Sequence, residues 1–305
     1  MNGIIFAGCS FTWGQGLYYY SDLKHIPTFQ EWVKDYSLMT NAPINFKNTI
    51  RFPRLVANHF STYEVCRETN GGSDEMSFKF INLLFDNNTS EESEKKHYAF
   101  LTSQVYNYDD IEYIIFQSSQ PQRCSYKITY KNEDYKVYVN DNSSNRTRVS
   151  KSYASGMEYD LSEKDSLELI YQWLVENNLS VDDLYELHLK NQVSIIKTNF
   201  MFYESKNIKV KLLLWPNDLL DYILSDDYLK SKLIPLYHDN KKFNTIDDMF
   251  LYDQSFLIEN DIVGFGGSVP EIAKGDRHPS KRLHEILSQN IIKSIEMDSI
   301  KKPLI

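Results

Sequence analysis

Short strand-like runs alternate with helix-length segments along this chain, a pattern that favours a parallel sheet covered by helices on both faces. Residues 3–8, Gly-Ile-Ile-Phe-Ala-Gly, read as a first, buried strand. A short helix opened by proline follows at residues 53–60, and residues 62–69 read as a second strand ending at Asn70-Gly-Gly-Ser73. Ser73 can cap an amphipathic helix over 74–85. Residues 110–119, with Ile-Glu-Tyr-Ile-Ile-Phe-Gln at their centre, form the third strand, and residues 208–215 the fourth, halted by Pro216. A long helical region fills 162–206 and breaks near Asn177-Asn-Leu-Ser180, where Ser180 starts a new helix. The last helix follows Pro279 and runs to about Met297. A doubly wound α/β sheet is the expected outcome.

One segment breaks the alternation. Residues 124–140 alternate aromatic and polar side chains around Lys131-Asn-Glu-Asp134, which reads as an antiparallel hairpin. Residues 140–155, rich in Asn, Ser and Arg, read as a mobile loop. Together, residues 121–160 are expected to form an insertion in a single 1–305 domain, at the carboxyl end of the third strand. Ligands of open α/β sheets bind beside such ends, so the insertion either covers the site or decorates the surface. The irregular stretch 24–49 carries the same two readings.

The chain of 305 residues is long for one domain but within reach of an α/β domain with insertions. Its 22 Tyr and 17 Phe supply core material, and its formal charge of −9, without a long basic run, argues against a nucleic-acid partner. No stretch approaches the roughly 20 apolar residues of a membrane span. The apolar start is too short for a signal peptide and lacks a basic leader. Cys9, Cys66 and Cys124 are odd in number and unevenly spaced, which suggests neither a disulfide framework nor a metal cluster. A cytoplasmic protein without membrane partner is expected.

The first strand runs into Gly8-Cys-Ser-Phe-Thr-Trp-Gly14. A serine delivered by a strand end, at the mouth of a helix, can be an exposed nucleophile with peptide N–H groups pointing toward a bound oxygen. Such a serine needs a base, an acid that orients the base, and donors for the developing oxyanion. For Ser10 the base candidate is His278, in Gly275-Asp-Arg-His-Pro-Ser280, with Asp276 as its acid. The bland alternative is that both cap the last helix. The oxyanion candidates are the N–H of Ser10 and that of Gly71 or Gly72, where only glycine leaves the ligand unobstructed. A phosphate-binding loop is disfavoured because no lysine follows Gly14 or Gly16. Cys9 as a thiol nucleophile is the other alternative, although a small buried residue behind the turn fits it better.

In these residues the chain resembles the SGNH, or GDSL-type, hydrolases. Gly8, Ser10, Thr12 and Gly14 match the family's first block, Gly-Asp-Ser-Leu-Ser/Thr-x-Gly, in register. Asn70-Gly-Gly-Ser73 looks like the second block, whose glycine gives an oxyanion donor, and Asp276 with His278 looks like the last. The resemblance implies a three-layer α/β/α sandwich with a flavodoxin-like sheet and ester hydrolysis through Ser10, His278 and Asp276, with no metal or organic cofactor. Its oxyanion donors would be Ser10 and Gly72, joined by a third side chain.

The chain departs from the family at three places. Cys9 replaces the Asp before the serine, and one residue instead of two separates Asp276 from His278. After the third strand the family's Gly-x-Asn-Asp is replaced by Phe116-Gln-Ser-Ser-Gln-Pro-Gln-Arg123. Of Gln117, Ser118 and Ser119, Gln117 is the chosen substitute because its amide has the donor chemistry of Asn. Arg123 either holds an anionic substrate or pairs with a surface carboxylate. Absence of a long apolar lid segment favours a short acyl ester of a carbohydrate or small molecule over a lipid. Trp13, Tyr18, Tyr19 and Tyr20 either stack on a sugar or pack. The alternative function is a non-catalytic binding or assembly protein on the same scaffold.

Overall fold

The structure, a computed structural model, describes residues 1–8, 12, 17–20, 47–66, 73–85, 105–138, 148–152, 158–258 and 278–300. In chain order its strands are β1 (Gly3–Ala7), β2 (Glu64–Cys66), β3 (Ile111–Gln117), β4 (Tyr126–Tyr130), β5 (Glu133–Tyr138), β6 (Arg148–Ser152), β7 (Glu158–Asp160), β8 (Lys209–Leu213), β9 (Leu236–His238) and β10 (Lys241–Phe243). The α-helices are α1 (Phe52–His59), α2 (Asp74–Phe85), α3 (Glu163–Glu176), α4 (Val181–Ser205), α5 (Leu220–Ser225), α6 (Asp227–Lys232), α7 (Ile246–Tyr252) and α8 (Lys281–Ile300).

The central sheet has the order β2-β1-β3-β8, every neighbour parallel. Leu233 bridges Leu212 in parallel, and the Ile234 N–H donates to the Leu212 carbonyl at 2.8 Å, so the chain returns once more along the β8 edge. β1 lies between β2 and β3, so successive connections depart from it in opposite directions. In an open α/β sheet that reversal leaves a crevice at the carboxyl ends of the two strands that flank it, here β1 and β3.

Strand alternation sends successive side chains to opposite faces. Ile5, Ala7, Ile114, Phe116, Val210 and Leu212 enter one core, covered by Phe78, Ile81 and Leu84 of α2 and by Leu189, Ile196 and Phe200 of α4. Phe78 stacks on Phe116 with ring centres 4.3 Å apart. Ile4, Phe6, Tyr113, Ile115 and Leu213 enter the other, covered by Phe52 and Val56 of α1 and by Leu283, Leu287, Ile291 and Ile295 of α8. The fourfold spacing in α8 is one helical stripe. Helices therefore cover both faces of a mostly parallel sheet, an arrangement compatible with a three-layer α/β sandwich.

The helix ends follow local chemistry. Pro53 occupies the first turn of α1. Ser73 Oγ accepts from the Met76 N–H at 3.3 Å at the start of α2. Ser180 and Asp183 form a reciprocal capping box that starts α4. After Pro216, where the sequence pattern is silent, come short helices and the hairpin β9-β10, which turns through Asp239 and Asn240 at φ 47° and 60°.

The hairpin expected over 124–140 is present as β4-β5, turning through Lys131 and Asn132 at φ 50° and 63°. The mobile loop expected over 140–155 is corrected in part. Residues 148–152 are strand β6, paired antiparallel to β5 and then to β7, giving the order β4-β5-β6-β7. The reason is packing. Val149 pairs with Val137, and both join Ile128, Tyr130 and Tyr135 in a core closed by Ile170, Trp173 and Leu174 of α3. Of the irregular stretch 24–49, residues 47–49 are helical and the rest lies outside the described residues. Among the described residues no helix is long and apolar enough to cross a membrane.

Candidate functional site

The β1–β3 register sets Ala7 beside Phe116, which brings Gly8 against Gln117. A Cβ on Gly8 would lie 2.5 Å from Thr12 Oγ1 and 2.8 Å from Gln117 Cβ, closer than side chains pack. Glycine at position 8 is what lets Thr12 and Gln117 approach the end of β1 this closely. Thr12 Oγ1 then donates to Gln117 Oε1 at 2.8 Å, with both side chains buried. This hydrogen bond uses the carbonyl end of the Gln117 amide, whose donor end is Nε2. Further along, the 3-10 turn Leu17–Tyr20 presents the Tyr20 hydroxyl to the Lys281 N–H, which donates to it at 3.2 Å.

Downstream of Gln117 the chain is held from three sides. The Ser118 N–H donates to the Leu213 carbonyl and the Trp215 N–H donates to Ser118 Oγ, both at 3.1 Å. The Ser119 N–H donates to Asp74 Oδ1 at 2.6 Å. Gln192 Nε2 donates to Asp74 Oδ2 at 2.7 Å and to the Ser119 carbonyl at 3.1 Å. His188 Nε2 donates to the Pro121 carbonyl at 2.8 Å, and burial lowers its pKa, so it is a neutral strut. Asp74 is buried at the start of α2. Burial pushes its carboxyl up to about 7, against the pull of the Gln192 and Ser119 hydrogen bonds. Because Ser119 follows Gln117 by two residues, this clamp couples the start of α2 to the end of β3.

His278 is half-buried ahead of α8. Its carbonyl accepts from the Ile258 N–H at 3.0 Å, and the Ser280 N–H donates to the Phe256 carbonyl at 2.8 Å, an antiparallel pairing that fixes the backbone on both sides of Pro279. The other histidine here, His284, is fully buried and stacks on Phe52 with ring centres 5.4 Å apart. Its Nδ1 accepts from the Phe52 N–H at 3.1 Å. Burial, helped by the charges of Arg51 and His278, lowers its pKa to about 3. His284 is thus a neutral packing residue, and His278 is the more accessible of the two.

Of the candidate catalytic and oxyanion residues, Gln117, Ser118, Ser119 and His278 are described, while Ser10, Gly71, Gly72 and Asp276, together with Cys9, Trp13 and Gly14, lie outside the described residues. Sequence reasoning gave Thr12 a part in shaping the serine segment but missed its bond to Gln117, and it missed Asp74 and Gln192; the signal for Asp74 was its place directly after Gly71-Gly-Ser73. Among the described residues no three His, Cys, Asp or Glu side chains converge as a metal site requires. Comparison with known protein families, with curated proteins and with solved structures finds no match.

Proposed function

We propose that this chain is a serine hydrolase of the SGNH, or GDSL-type, class, with that family's flavodoxin-like sandwich, cleaving a short acyl ester from a carbohydrate or small molecule. In this reading His278 takes the proton of Ser10 as the oxygen attacks the ester carbonyl, and Asp276 holds the imidazole and stabilises its charged form. The Ser10 and Gly72 N–H groups and the Gln117 amide bind the oxyanion. The protonated His278 gives its proton to the leaving alcohol, and water then releases the acyl group by the same steps. The supporting observation is the pair of anchors around the serine segment. Thr12, two residues after Ser10, is bonded to Gln117, and Tyr20 is bonded to Lys281, three residues after His278. The segment carrying the nucleophile is tied to the elements that carry the amide and the base.

The test is hydrolysis of a short-chain aryl acetate together with labelling by a fluorophosphonate. The wild-type protein is expected to be labelled at Ser10, Ser10→Ala to lose both signals, and Gln117→Ala to lose roughly 10²–10³ in kcat, the usual effect of deleting one oxyanion donor. A folded wild-type protein that takes no label, with Ser10→Ala hydrolysing at the same rate, would overturn the proposal. Gln117 is only 1 % exposed, and that burial supports a second reading in which the scaffold binds or assembles without catalysis. The same unlabelled result would favour it.

A further inference from the structure

We infer that Arg123 is an anion-binding residue that selects esters carrying a carboxylate or phosphate group. The inference rests on the proposed hydrolase and adds its substrate class. Arg123 closes the 3-10 turn Pro121–Arg123, just past the carboxyl end of β3. Its guanidinium carbon lies 5.8 Å from the centre of the Trp215 ring. Trp215 belongs to the core on the α1 and α8 side of the sheet, the side to which alternation from Tyr113 and Ile115 also assigns Gln117. His278 leads into α8 on that same side. The guanidinium, the amide and the imidazole therefore belong to one side of the carboxyl edge.

What sets Arg123 apart is a guanidinium nitrogen that finds no partner among the described residues. Its Nη1 is buried with no hydrogen bond. Of the acids held at this end of β3, Asp74 accepts from Ser119 and Gln192, and Glu75 accepts from the Ser125 N–H at 3.3 Å through Oε1 while its Oε2 is buried without a hydrogen bond. Arg123 is half-buried, and a guanidinium partly removed from water is stabilised by an anion arriving at its solvent-facing side. A guanidinium is the side chain best suited to hydrogen-bond a carboxylate or phosphate, and the Trp215 ring lies within cation–π reach of it.

The experiment compares a neutral aryl acetate with the aryl monoester of succinate, whose free carboxylate gives the anion, on wild type, Arg123→Lys and Arg123→Met. The anionic-to-neutral ratio of kcat/KM is expected to fall about tenfold or more in Arg123→Met, mostly through KM, with Arg123→Lys between, as loss of a charge-assisted pair predicts. An unchanged ratio overturns the inference. A binding arm separates it from the hydrolase reading: succinate and inorganic phosphate are titrated separately while the Trp215 indole N–H resonance is followed, assigned with Trp215→Phe. Saturable shifts in wild type that vanish in Arg123→Met support the site even where no ester is cleaved, and the stronger ligand identifies the anion. Absence of shift with both overturns it.

Discussion

At Gly8 a single methyl group is enough to separate two strand ends. The Cβ of Gly8→Ala would meet Thr12 Oγ1 at 2.5 Å, Gln117 Cβ at 2.8 Å and the Gln117 carbonyl at 3.0 Å, and one of these atoms is backbone. Thr12 cannot simply rotate away without breaking its hydrogen bond to Gln117, which would leave a buried acceptor unsatisfied. Gly8→Ala is therefore expected to destabilise by about 1–3 kcal/mol, the usual cost of overpacking, read from urea unfolding. Under the proposed function it should also slow fluorophosphonate labelling of Ser10, because the turn and the amide move together. Gly8 was legible in the sequence because a glycine at the end of an apolar strand marks a place where other chain segments can approach the backbone closely. The Asp74 clamp was not, since Gln192 stands 118 residues away and Asp74 by itself reads as an ordinary acid in a first helical turn. The candidate site was thus legible where its chemistry is local, and hidden where long-range partners supply it.

Among the elements, the β4-β5 turn makes a separable prediction. Lys131 and Asn132 both have positive φ, the geometry a two-residue hairpin needs to match strand twist. Asn132→Gly should be tolerated, whereas Asn132→Val forces a β-branched residue to φ 63° and should cost about 1–2 kcal/mol. Denaturant unfolding followed by tryptophan fluorescence, with Trp173 in the core beneath this sheet, checks the pair; equal stability of the two variants would contradict the turn. The same insertion shows what sequence patterning can carry. β1 and β3 were readable because they are mostly apolar runs buried on both faces, β8 because Val210, Leu212 and Leu213 lead into Leu214-Trp215 before Pro216, and α3 and α4 because Ser162 and Ser180 mark their starts. β6 was not, since Arg-Val-Ser-Lys-Ser contains one apolar residue and becomes a strand only through its pairing with β5 and β7.

For the whole molecule, two buried groups tilt stability against pH in opposite directions. Asp74 titrates near 3.8 in the unfolded chain but at about 7 in the fold, where burial favours the protonated form. Between those values the native state holds a proton that the unfolded chain has released, so stability falls as pH rises, by up to about 4 kcal/mol at about 1.4 kcal/mol per pH unit. His284 does the reverse. Its pKa drops from 6.5 to about 3 on burial, so between those values the unfolded chain binds a proton the fold refuses, and stability rises with pH. From about pH 4 to 6.5 the two slopes largely offset each other. Asp74→Asn removes one of them while keeping the shape. Its amide oxygen can still accept from the Ser119 N–H, and Gln192, whose Oε1 is buried without a partner, can turn its amide to accept from the new NH2 group. The variant is therefore expected to gain stability steadily with pH across that window, measured as the urea midpoint, relative to a flatter wild type. A variant profile parallel to that of the wild type would mean that Asp74 carries the same charge folded and unfolded, and that its hydrogen bonds to Ser119 and Gln192 outweigh its burial.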